Sequence, residues 1–148
     1  MKFKILYLIV LFALLGFSTQ ASDIPKPDEK QATEEVKNAD KLVILWTSGD
    51  KEVAEKMVFL YTFNSKRFGW WDDITLIVWG PSTKLLSEDT DLQEYIKKIM
   101  DQGTVVKACK ACADEYDVSG KLEEMGIEVK YVSEFTNYIK EGRHILTL

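Results

Sequence analysis

The sequence predicts an α/β domain, a three-layer α/β/α sandwich on a five-stranded, mainly parallel sheet. Short apolar runs alternate along the chain with longer segments of helical period, the pattern of a sheet covered by helices on both faces. Several runs are nearly continuous in Val, Ile and Leu instead of alternating, as strands buried on both sides require. The connections are short, so right-handed crossovers should bring every strand C-terminus, with the loop that follows it, to one edge of the sheet.

The five runs lie at 42–47, 74–79, 104–108, 127–132 and 144–148. Between the first two, Val53, Met57, Leu60, Tyr61, Asn64 and Phe68 recur at spacings of three and four, which predicts a long helix starting near Asp50 and stopping at Phe68-Gly69. Pro81 suits the first turn of the next helix. Thr90 and Gln93 then read as a capping box ahead of the amphipathic stripe Leu92, Tyr95, Ile96, Ile99 and Met100, closed by Gly103. A shorter helix is expected over 119–125 with Gly126 past its end, and another over 133–140 with Gly142 in the same role.

The domain proper is expected at 41–148, preceded by two segments of different character. Residues 1–21 place Lys2 and Lys4 before an uncharged apolar run of 13 residues and the small-residue stretch ending at Ala21, which reads as a secretory signal peptide. That run is shorter than the roughly 20 residues a membrane span needs, so no stable membrane insertion is expected after cleavage. An exported protein, periplasmic or secreted, is the expectation. Residues 22–40 are acidic, carry two prolines and hold few apolar side chains, so they are read as an exposed leader. The net charge of −5 becomes more negative once the two signal lysines are lost, so nucleic acid is not an expected partner.

Three loops at the expected edge carry the chemistry. They are Trp46-Thr47-Ser48-Gly49-Asp50, Trp79-Gly80-Pro81-Ser82 and Ala108-Cys109-Lys110-Ala111-Cys112, the last holding the only two cysteines. In a Cys-x-x-Cys turn between strand and helix, the helix amides and an adjacent cation, here Lys110, are expected to favour thiolate over thiol and so make a nucleophile. This reading requires Cys109 to be reachable from solvent. Trp46 and Trp79 could wall a pocket beside the cysteines or serve as core aromatics, while Thr47, Ser48 and the backbone near Gly80 could orient a bound species. Trp70-Trp71, at the other end of the sheet, suggest a subunit contact or a lid on the core.

The same pair could form a permanent short-loop disulfide in a non-catalytic, oligomeric binding or assembly module, though so small a ring removes little entropy from the unfolded chain. Two sulfurs supply half a tetrahedral zinc site, and the single histidine, His144, falls at the opposite end of the strands, so no metal is expected. With that histidine far from Ser48 and Ser82, no serine triad is credible, and neither a phosphate loop nor a glycine-rich dinucleotide fingerprint occurs. No cofactor is expected.

The segments Lys41-Leu-Val-Ile-Leu-Trp-Thr-Ser-Gly-Asp50, Leu76-Ile-Val-Trp-Gly-Pro-Ser82 and Val106-Lys-Ala-Cys-Lys-Ala-Cys-Ala113, in that order and spacing, resemble the DsrE/DsrF-like family, including its YchN-like members, over essentially all of 41–148. The resemblance implies a flavodoxin-like class of three-layer domain, assembly into trimers or hexamers, and sulfur carriage as a cysteine persulfide. By position, Cys109 matches the sulfur-accepting cysteine and Cys112 the second cysteine of YchN-like members. Asp117 stands where relatives commonly have glycine, and Tyr116 where an arginine often precedes it. The expected activity is sulfurtransferase or sulfur-carrier chemistry, with Cys109 attacking a small sulfur species or a thiol partner protein and Cys112 resolving the product.

Overall fold

The computed structural model describes residues 40–148; the expected signal peptide and all but the last residue of the expected leader lie outside them. Five strands, β1 (Lys41–Trp46), β2 (Asp73–Val78), β3 (Val105–Cys109), β4 (Glu128–Lys130) and β5 (His144–Thr147), form one sheet in the order β4-β3-β2-β1-β5. All four pairings are parallel.

That order explains how the faces are covered. The crossovers from β1 to β2, β3 and β4 all step in one direction, so their right-handed helices fall on one face. The chain then returns past β1 to β5, which puts the last helix on the other. Leu42, Ile44 and Trp46 of β1, with Ile74, Leu76 and Val78 of β2, belong to the large core on the first face. Val43, Leu45 and Ile77 point the other way and pack with Tyr138 of the last helix in a smaller cluster, as the two-residue period of a strand demands.

The first helix, α1, runs through Lys51–Val53, Ala54–Phe59 and Leu60–Arg67. Asp50 caps it, its side chain accepting from the Glu52 and Val53 amides. The middle stretch is wound as a π-helix and buries Ala54, Val58 and Phe59. Ala54, Val58, Thr62 and Ser65, at spacings of four, four and three, are fully buried and form the face turned to the sheet. Met57, at 49% exposure, and Leu60 therefore look outward, although their spacing marks them as one face of the helix. Together with Tyr61, Asn64, Trp70, Leu146 and Leu148 they line an apolar groove of about 400 Å³ beside edge strand β5.

Helices α2 (Pro81–Glu88) and α3 (Thr90–Asp101) follow β2. The expected capping box is not formed: Asp89 is the N-cap, accepting from the Leu92 amide at 3.1 Å. Gln93 instead donates its side-chain amide to the Leu86 and Ser87 carbonyls, both at 2.9 Å, and so ties α3 back to α2. Helices α4 (Lys110–Glu115) and α5 (Ser119–Glu124) join β3 to β4, and α6 (Ser133–Lys140) crosses to β5. No helix among the described residues is long and apolar enough to cross a membrane.

Candidate functional site

The strand ends do bring the three loops together. Ser82 clasps the first two: its hydroxyl donates to the Trp46 carbonyl at 2.7 Å and accepts from the Trp79 amide at 3.0 Å. Gly49 and Pro81 touch so closely that a Cβ at Gly49 would lie 3.1 Å from the proline ring. Gly80 has a φ of +70°, a conformation that favours glycine, and its N–H donates to the sulfur of Cys112. Thus the second loop delivers one backbone hydrogen bond to the third.

The two cysteines are free and hydrogen-bonded to each other. Cys109, the last residue of β3, is 2% exposed, whereas Cys112 in α4 is half-buried. The expectation of Cys109 as the solvent-reachable attacking sulfur is therefore reversed, because the strand ends beneath the loops and the helix carries the second thiol outward.

The expected cation effect is also overturned. Lys110 donates to both carboxylate oxygens of Asp114, each at 2.8 Å, and Ser119 donates to the same carboxylate at 2.7 Å. Its ammonium is held by its own helix one turn on, the usual i,i+4 geometry. Burial pushes the Cys112 thiol up, the bond with Cys109 adds to that, and the Gly80 N–H opposes it without prevailing. A raised value means less thiolate at neutrality. Alkylation of Cys112 is therefore expected to keep accelerating as pH passes the ordinary thiol value of about 8.5; a plateau near neutrality, followed by peptide mapping, would contradict it.

Trp46 does not wall a pocket. It is fully buried on the first face, edge-on to Phe59 at 5.1 Å. Trp79 is half-buried on the second face, edge-on to Phe135 at 6.0 Å. Phe135 in turn lines a narrow cleft of about 10 Å³ with Cys109, Lys107, Lys130, Tyr131 and Glu134, so Trp79 backs one wall of a space beside the inner sulfur. Neither this cleft nor its charged residues stand out in the sequence; the one signal is Lys107, two positions before Cys109 in a strand and so on the same face.

Thr47 and Ser48 are occupied locally. Thr47 donates its hydroxyl to the Leu148 carbonyl at 3.1 Å, and Ser48 accepts from the Asp50 amide at 3.1 Å. His144 lies at the start of β5 against Trp71, ring centres 5.0 Å apart, remote from the cysteines. Among the described residues no three His, Cys, Asp or Glu side chains converge as a metal site.

A comparison by sequence bears on the whole domain: the model of the DsrE/DsrF-like family matches residues 40–148. The chain belongs to the DsrE/DsrF-like family. A conserved protein of unknown function from Bacteroides thetaiotaomicron is 38% identical, with a TM-score of 0.72 over 74% of this chain and 95% of its own. The ychN protein of E. coli is 16% identical, with a TM-score of 0.60 over 74% of this chain and 99% of its own. A protein of unknown function from Methanobacterium thermoautotrophicum is 19% identical, with a TM-score of 0.57 over 74% and 100%. The last two share the fold. No curated protein matches the sequence. Asp117 takes a φ of +56°, the left-handed region that favours glycine and admits aspartate.

Proposed function

We propose that the protein is an exported DsrE-like sulfur carrier in which Cys112 receives a sulfane sulfur and Cys109 stores it. The observation that carries this reading is the contact between a half-buried thiol and a buried one, and the family's general association with sulfur relay supports it.

Each step moves one sulfur atom between thiolates, as thiol exchange requires. The Cys112 thiolate attacks the outer sulfur of a persulfide donor; the donor's sulfur–sulfur bond breaks, and its thiolate leaves. The Cys109 thiolate then attacks the outer sulfur of the Cys112 persulfide, which frees Cys112 and leaves the persulfide on Cys109. Reversal returns the sulfur to Cys112, where an acceptor thiolate takes it. Protons exchange with water, and no step consumes an oxidant or reductant.

Incubating the full chain with a small-molecule persulfide tests this directly. Intact mass is expected to rise by one sulfur atom per chain, and peptide mapping to find that atom on Cys109. Absence of the added sulfur on either cysteine would refute the proposal.

The carrier is further proposed to work as a homo-oligomer, a trimer or hexamer. Met57, Leu60, Phe68 and Trp70 are all exposed large apolar side chains, and Trp70, at 55% exposure, stacks on Phe68 at the mouth of the groove along β5. Exposed clusters of this kind mark contact surfaces. Trp70→Lys is expected to lower the molar mass measured by sedimentation while leaving the circular dichroism spectrum intact; an unchanged mass would place the contact elsewhere.

A further inference from the structure

We infer that the cleft behind Cys109 is the seat of the stored outer sulfur, and that Lys107 is the positioning residue whose charge holds that sulfur as an anion. This rests on the relay reading above and adds the group that makes a buried persulfide tenable.

The strand register builds the site. Lys107 precedes Cys109 by two residues on the same side of β3, and the β3–β4 pairing sets Lys107 opposite Glu128 and Cys109 opposite Lys130. These four side chains therefore share one face of the sheet. Helix α6 closes over them with Glu134, which bonds the Lys107 ammonium and accepts from the Tyr138 hydroxyl at 3.1 Å. The space left, about 10 Å³, is close to the smallest volume that holds a single water molecule, roughly 10–15 Å³. One sulfur atom fits there, and a bulky acceptor does not.

A persulfide anion placed in such a space needs a counter-charge, because burying an ion without one costs several kcal/mol or more. Lys107 is the buried cation of the group, its side chain only 14% exposed against 56% for Lys130. Burial opposes its charge, but the hydrogen bonds to Glu134 and Tyr138 prevail and keep the ammonium above the ordinary lysine range. Glu134 is held below the usual carboxylate range by Lys107, against its own burial, and Glu128 is lowered chiefly by Lys130. The remaining charged or titratable neighbours are Tyr131 at the cleft, Cys112 across from Cys109, and Arg143, which lies over the Tyr138 ring at 4.4 Å and pairs with Asp73.

Two opposed charges next to one sulfur allow a test that general damage cannot mimic. The full chain is loaded with a small-molecule persulfide, peptide mapping places the added sulfur on Cys109, and the near-ultraviolet absorbance of the persulfide anion, which needs no reagent to enter the cleft, is followed against pH. Lys107→Met removes the cation and is expected to raise the midpoint by about one pH unit, a tenfold loss of anion below it. Glu134→Gln removes the nearer of the two carboxylates paired with Lys107, the other being Glu128 at 3.5 Å, and is expected to lower the midpoint. Lys107→Arg is expected to restore the wild-type profile. Sulfur on Cys109 with the same midpoint in all variants, or with Lys107→Met and Glu134→Gln moving it the same way, would overturn the role of Lys107 and leave the relay standing. No sulfur on Cys109 in the wild type would overturn both.

Discussion

Replacing Cys112 by serine is expected to slow sulfur acceptance by at least about tenfold, the loss of more than roughly 1.4 kcal/mol of barrier stabilisation. The reason is access. Cys109 is 2% exposed, so a donor persulfide cannot bring its outer sulfur into line with the Cys109 thiolate without first opening the loops. Cys112 is only half-buried and is hydrogen-bonded to it. Cys109→Ser should behave differently: it still accepts sulfur at Cys112 but holds it where competing thiols can strip it. Loading followed by a wash with a small thiol, read by intact mass, separates the two variants. Equal loading rates in wild type and Cys112→Ser would show that the buried sulfur is reached by another route.

Phe59→Ala is expected to destabilise the fold by about 3–5 kcal/mol, the range for truncating a buried phenylalanine. Phe59 is fully buried and makes edge contacts with Trp46 at 5.1 Å and Tyr95 at 5.3 Å, pairs that each add about 0.5–1.5 kcal/mol beyond area burial. A domain of this size has only about 5–15 kcal/mol in hand, so urea melts should show a large fall in midpoint. Met57→Ala, two residues earlier on the same π-wound stretch, faces outward and should change stability by no more than about 0.5 kcal/mol. The contrast tests which face of α1 meets the sheet: comparable losses at both positions would mean that Met57 is buried as well.

The sheet and most helices were legible because parallel strands buried on both sides leave unbroken runs of Val, Ile and Leu, and these match β1 and β2 closely. The meeting of the three loops followed from crossover handedness. The inner face of α1 was not legible. Its more apolar stripe, through Met57 and Leu60, faces outward, while the buried stripe through Ala54 and Val58 continues into Thr62 and Ser65, whose hydroxyls disguise it as the polar face. The cap of α3 was misplaced by one residue because Asp89 and Thr90 are both good capping residues.

At the site, the sequence placed the cysteine pair at the correct end of the sheet but assigned the wrong thiol to solvent. Whether a residue at the end of a strand is covered depends on loops arriving from elsewhere, and the Ser82 clasp and the Gly80 N–H are contacts between distant segments. Lys110 was read as a partner for sulfur because it is adjacent in sequence; in the helix its neighbour is Asp114. The sequence alone allows Trp46 either a pocket or the core, and its pairing with Phe59 puts it in the core.

The most direct measurement is the order in which the two cysteines carry sulfur. Rapid mixing of the full chain with a limiting persulfide donor, acid quenching at successive times and peptide mapping should find the added atom first on Cys112 and later on Cys109, the early signal decaying as the late one grows. Sulfur appearing on Cys109 with no earlier occupancy of Cys112, or remaining on Cys112 throughout, would contradict the account.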